Sequence, residues 1–120
     1  MEIVEILKAL GDETRVRIVH LLQEKPLCVC EIQEILGISQ SNTSRHLIKL
    51  KNAKLIQGDK KAQWVYYSLA PHTLQTYSFL EELMKNLNQY EDLERDRQAL
   101  KTLQEKGFSC EKLTKNQTFP

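Results

Sequence analysis

Gly37 stands between two short segments of helical pattern, the second of them polar on every face but one, and few folds accommodate that arrangement. The first runs from Glu31 to Leu36 and takes Gly37 as its C-terminal stop. Ser39 is a good N-cap for the second, Gln40 to about Asn52, which places Thr43, Leu47 and Leu50 on one face. Two helices joined by a glycine-containing turn predict a helix-turn-helix, whose second helix reads the major groove of DNA.

The flanking segments complete a small domain. Ile3, Leu7 and Leu10 form an apolar stripe that Gly11 ends, and Asp12 caps a further helix from about Glu13 to Gln23. Lys25-Pro26 breaks the chain before Cys28-Val29-Cys30, where the third helix begins. Leu55-Ile56-Gln57 and Gln63 to Leu69 read as two strands, with Gly58-Asp59-Lys60-Lys61 as the connecting loop. That hairpin is a wing. From His72 to about Lys106 there is no Gly or Pro, and Leu80, Leu83, Leu87, Tyr90, Leu100 and Leu103 recur at helical spacing. Roughly 35 residues of helix, whether continuous or broken, is too long for so small a chain to bury alone, which predicts a partner subunit.

The expected fold is therefore mainly α (α+β): a winged helix-turn-helix with a two-stranded β-wing and a long C-terminal dimerisation helix. One domain over 1–106 and a C-terminal tail over 107–120 account for the 120 residues. No apolar run approaches the roughly 18 residues that a membrane span needs. The acidic start, Met1-Glu2-Ile3-Val4-Glu5, is unlike a secretory signal, so a cytoplasmic protein is expected.

Charge distribution says more than the net charge of +1. Between Ser39 and Gln63 six bases, Arg45, Lys49, Lys51, Lys54, Lys60 and Lys61, face the single acid Asp59, while the chain beyond His72 is slightly acidic. One basic segment on a balanced protein is the footprint of a nucleic-acid-binding face. Gln40, Ser41, Ser44, Arg45 and His46 occupy the first two turns of the reading helix, where side chains reach base edges and phosphates. Lys60 and Lys61 at the wing tip are placed for backbone phosphate. There is no glycine-rich phosphate loop, no His-Glu-x-x-His and no Gly-x-Ser-x-Gly, so an enzyme is not expected.

Three cysteines in a chain expected in a reducing compartment point to thiol chemistry rather than to a disulfide framework. Cys28 and Cys30 are the sharpest chemical feature. In an α-helix, positions i and i+2 point about 200° apart, whereas in an extended segment they share a side. A soft, thiophilic ion that binds both thiolates therefore requires a non-helical or unwound first turn of the third helix, next to the reading helix. A thiol redox pair is the alternative, although a Cys-x-Cys disulfide closes a strained loop.

Leu7-Lys8-Ala9-Leu10-Gly11-Asp12-Glu13-Thr14-Arg15, Leu27-Cys28-Val29-Cys30-Glu31-Ile32, Ser39 to Leu47 and Trp64 to Leu69, in that order, resemble the ArsR/SmtB family of metal-responsive repressors. The resemblance implies a homodimer that represses its operon on double-stranded operator DNA until an inducer binds. It carries no constitutive cofactor. Cys-Val-Cys at this place is similar to the arsenite and antimonite sensors, which implies As(III) or Sb(III) as inducer. Some of those sensors have a third cysteine where this chain has Gln33, so a third sulfur would come from Cys110 or from an external thiol. The cadmium and lead sensors add cysteines before this point, and none precedes Cys28 here. The zinc sensors place acids and histidines along the dimer helix, and this one has no histidine after His72. His20 reads as a core residue and His72 as a cap neighbour. A thiol-redox-sensing repressor of the same fold is the alternative function.

Overall fold

A computed structural model describes residues 1–107. Cys110 and the rest of the tail from 108 lie outside the described residues. Helices α1 (Glu2–Leu10) and α2 (Glu13–Leu22) meet at Gly11, and Asp12 caps α2 by accepting from the Arg15 N–H at 3.0 Å. A two-residue strand β1 (Leu27–Cys28) leads into α3 (Val29–Leu36). Gly37 then takes a left-handed conformation, φ 68° and ψ 33°, so that its N–H closes the end of α3 on the Gln33 carbonyl. This turn sets α4 (Gln40–Asn52) against α3, the helix-turn-helix expected from the sequence. Ile6, Ile18, Leu21, Ile32, Leu47 and Leu50, all at most 1% exposed, form the centre of the core that seats it.

The end of α4 has a stop that no glycine announces. Lys54 adopts φ 63°, and the Leu55 and Lys54 N–H groups donate to the carbonyls of Leu50 and Lys51 at 3.1 and 2.9 Å. This is a Schellman motif with lysine in the glycine position, stabilised by burial of Leu50 and Leu55.

Strands β2 (Ile56–Lys61) and β3 (Trp64–Leu69) form the wing, and β1 adds a third antiparallel strand on the other edge of β3, giving the order β1-β3-β2. The expected loop at Gly58 to Lys61 is instead part of β2, and the turn is Ala62-Gln63. The reason is packing: Gly58 pairs with Tyr67, and a Cβ there would lie 3.1 Å from Val65 and 3.3 Å from Tyr67. The glycine serves close approach rather than chain reversal. At the true turn Ala62 has φ 57°, and Gln63 does not share the positive angle, the pattern of a turn whose first position suits glycine. Ala62→Gly is therefore expected to stabilise the domain by about 0.5–1 kcal/mol, a rise of roughly 2–8 °C in thermal midpoint. An unchanged or lowered midpoint would show that Ala62 is unstrained.

The C-terminal segment is helical, as expected, but not continuous. Three helices, α5 (Pro71–Thr76), α6 (Phe79–Leu87) and α7 (Glu91–Glu105), make it up, broken at Tyr77-Ser78 and at Asn88 to Tyr90. A straight helix of about 35 residues would extend roughly 52 Å, beyond the 44 Å longest dimension of the molecule. Folding back lets α7 bury Leu93, Leu100 and Leu103 against α2 and α3 of its own chain. The length argument for a partner therefore fails. Among the described residues no helix is long and apolar enough to cross a membrane.

Candidate nucleic-acid interface and thiol pair

The exposed face of α4 is built from its buried one. Ser39 Oγ accepts from the Asn42 N–H at 3.1 Å, and Thr43 Oγ1 donates to the Ser39 carbonyl at 2.8 Å, which fixes the first turn. With Thr43, Leu47 and Leu50 buried, Gln40, Ser41 and Arg45 stand exposed and Ser44 is half-buried. The Arg45 guanidinium donates to Asn42 Oδ1 and so lies along the exposed face.

His46 is placed differently. Its side chain is largely buried, with Nδ1 3.2 Å from an Arg15 guanidinium nitrogen and 4.0 Å from Asp12 Oδ1. Arginine can only donate, so Nδ1 accepts and the imidazole is neutral. Burial lowers its pKa, with Asp12 opposing and Arg15 adding to that effect. His46 thus joins α4 to the start of α2. On the wing, Lys60 and Lys61 are exposed near the end of β2, and Lys61 Nζ lies 6.0 Å from the Tyr66 ring centroid.

The two cysteines straddle a change in backbone conformation. Cys28 ends β1, is 2% exposed, and is the N-cap of α3 with φ −93° and ψ 169°; Cys30 is half-buried in the first helical turn. Cys28 closes a capping box with Glu31: its N–H donates to Glu31 Oε1 at 3.1 Å, and its sulfur faces the Glu31 N–H. Sulfur is a weaker acceptor there than a serine oxygen. Glu31 is buried, and desolvation raises its pKa against the opposing Cys28 hydrogen bond and Lys25. Cys28 is already extended as two-sulfur capture requires, whereas Cys30 is still helical. Cys28 is disulfide-bonded, so the expectation of thiols throughout does not hold at Cys28. Among the described residues no group of three or more His, Cys, Asp and Glu is gathered as a metal site. His20 is buried in the core at 1% exposure, and His72 is exposed at the start of α5.

Two groups at this face were named from the sequence, Lys49 among the bases and Arg15 within the family motif, but given no contact of their own. Arg15 donates from Nε to the Ala9 carbonyl at 2.6 Å and from the terminal nitrogen to the Lys8 carbonyl at 3.4 Å, closing the end of α1. Lys49 is exposed one turn beyond Arg45. The spacing of Arg45 and Lys49 was the available signal, whereas the Arg15 contacts span separate helices.

A helix-turn-helix followed by a hairpin, with bases on both, defines a winged helix-turn-helix protein. Residues 12–57 match the family described as bacterial regulatory protein, arsR family. The chain belongs to that family. It is 44% identical over 71 residues to the arsenic resistance transcriptional regulator ArsR1 of Pseudomonas putida, covering 58% of this chain and 56% of the relative. It is 41% identical over 70 residues to a cadmium resistance transcriptional regulatory protein CadC homolog of Staphylococcus aureus, covering 58% of each chain. The chain thus spans little more than half the length of these curated relatives. The solved structure of reduced HlyU from Vibrio cholerae superposes with a TM-score of 0.62 at 32% identity, covering 74% of this chain and 90% of that one.

Proposed function

We propose that this chain is a cytosolic, homodimeric repressor that grips double-stranded operator DNA through α4 and the wing and releases it when As(III) or Sb(III) binds Cys28 and Cys30. The observation that carries this reading is the position of Cys28 and Cys30 at the strand-to-helix junction of α3, the helix packed directly on α4, where reduction of Cys28 supplies the second thiolate. Bridging both sulfurs pulls Cys30 out of its helical turn, and α4 loses its support. The bases on α4 and the wing suit duplex phosphate, and Gln40, Ser41, Ser44 and Arg45 stand at the end of α4 that enters a groove. His46 contributes by holding α4 to α2.

Homodimerisation is supported by exposed apolar groups on α1 and α6. Leu7 is 54% exposed and Phe79 38%. The Tyr77 ring, just before α6, packs edge-on to Phe79 at 6.3 Å. The relatives include arsenic and cadmium resistance regulators, and the Cys-Val-Cys pair at the head of α3 favours the metalloid. Cys110 or an external thiol completes the three-sulfur set that As(III) prefers.

A mobility-shift titration with reduced protein tests the proposal: arsenite releases the operator at concentrations where zinc and cadmium do not. A loaded dimer that holds DNA as tightly as the empty one would reject it. Arg45→Ala is expected to weaken operator binding about tenfold, with dimer formation unchanged. Equal affinity would remove Arg45 from the contact set. A second reading, redox sensing, is favoured by the disulfide at Cys28; it predicts release by peroxide and recovery with dithiothreitol in the absence of any metalloid.

A further inference from the structure

Resting on the reading that the chain grips duplex DNA, we infer that the cleft enclosed by α1, α2 and α4 seats a backbone phosphate of that duplex. This contact is separate from those of the wing and the first turns of α4. The cleft has a volume of about 340 Å³, and Glu5, Lys8, Arg15, Lys49 and Asn52 supply its polar lining. Three positive groups meet one carboxylate there.

Their charges are available to a ligand. Arg15 spends its side-chain hydrogen bonds on the Ala9 and Lys8 carbonyls and on His46 Nδ1, none of them a carboxylate, so no ion pair ties up its guanidinium. Asp12, the N-cap of α2, accepts the Arg15 N–H, lies 4.0 Å from His46 Nδ1 and interacts electrostatically with the Arg15 guanidinium, offsetting part of its charge. Among the described residues neither Arg15 nor Lys49 is in an ion pair, and Lys8 meets Glu5 only across 3.8 Å between two exposed side chains. Such a pair yields readily to a stronger anion.

The cleft also continues the reading helix. Ser41, Arg45, Lys49 and Asn52 are spaced by four, four and three residues, which puts them on one face of α4. Lys49 and Asn52 carry that stripe into the cleft, where Lys8 and Arg15 join it from α1 and α2. A duplex lying along the exposed face of α4 therefore meets this basic cluster with its backbone. Phosphate contacts of this kind fix register and orientation without reading sequence.

Lys8→Gln, Lys49→Gln and Glu5→Gln test the assignment, all at exposed positions where the fold is not at stake. Dissociation constants are measured for the operator and for an unrelated duplex of equal length at 50 and 200 mM KCl. Each lysine variant is expected to bind both duplexes more weakly and with a flatter salt dependence. For every phosphate left without its cation, the variant's deficit against the wild type should shrink about 3.5-fold between the two salt concentrations. Glu5→Gln is expected to bind both duplexes more tightly. Unchanged affinity in both lysine variants, or weakening confined to the operator, would overturn the assignment. So would saturable binding of inorganic phosphate that Lys49→Gln abolishes while duplex affinity stays intact, because the cleft would then serve a small anion. Wild-type protein with no salt-dependent duplex binding at all would instead bring down the repressor reading itself, together with the cleft.

Discussion

Cys28→Ser is expected to keep the fold and the operator affinity of the wild type while losing release by arsenite altogether. Serine at this position converts Cys-x-x-Glu into Ser-x-x-Glu, in which the hydroxyl accepts from the Glu31 N–H and Glu31 continues to accept from the residue-28 N–H. Oxygen is the better acceptor, so the gain at the cap offsets the burial of a hydroxyl, and stability in reducing buffer should stay within about 1 kcal/mol. The helix that supports α4 is thereby retained. What disappears is the soft ligand, since a hydroxyl does not replace thiolate for a thiophilic ion. Cys30→Ser should lose the response as well, because one sulfur cannot bridge, although its position in the first turn carries no cap. Fluorescence anisotropy of labelled operator under dithiothreitol reads both quantities. Arsenite that still displaces either variant at the wild-type concentration would remove the pair from the mechanism.

The second large effect concerns the fold. Arg17 on α2 donates two parallel bonds, 2.8 and 2.9 Å, to the carboxylate of Asp96 on α7, whose side chain is only 7% exposed. The hydrogen bonds to Asp96 raise the Arg17 pKa. Arg17→Ala leaves that carboxylate buried without its partner, and a loss of about 3 kcal/mol is expected, lowering the thermal midpoint by roughly 12–24 °C. Lysine cannot reproduce the two-pronged geometry, so Arg17→Lys should recover only part of the loss. Replacing both members by apolar residues of similar volume should recover most of it, because the damage comes from an unpaired charge rather than from a missing attraction. The exposed pair of Arg95 and Asp92 on the same helix is the control, and its removal should go unnoticed. A calorimetric midpoint for Arg17→Ala within 2 °C of the wild type, roughly what a change of a few tenths of a kcal/mol produces, would contradict the account.

The helix-turn-helix was legible because each of its boundaries is a local event. Asp12 and Ser39 cap their helices through bonds three residues long, and Gly37 turns the chain with an angle that other residues resist. The capping box between Cys28 and Glu31 is just as local, but cysteine is not a usual N-cap and the box was not assigned from the sequence. The wing was visible in the aromatic and β-branched run from Trp64, but its register was not. Gly58 has two possible causes, a turn or a close neighbour, and the neighbours are Val65 and Tyr67 on the opposite strand.

Longer-range features were beyond local reading. Lys54 stops α4 in a left-handed conformation that its type does not favour, held by Leu50, Leu55 and the bond from Thr73 to its carbonyl at 2.6 Å. The breaks at Tyr77-Ser78 and Asn88 to Tyr90 have no glycine or proline to mark them. The leucine spacing from Leu80 to Leu103 is satisfied equally by one long helix or by two packed ones. Arg17 and Asp96 are 79 positions apart, and Arg15 and His46 are 31 apart.

Caps, turns and alternation along the chain were enough to define the helix-turn-helix, the hairpin and the place of the thiols, since their energies lie within a few neighbouring residues. Where the C-terminal segment folds back, which charges are buried and that Lys8, Arg15 and Lys49 share one cleft depend on contacts between distant elements. Such contacts gain energy only once the core has brought those elements together.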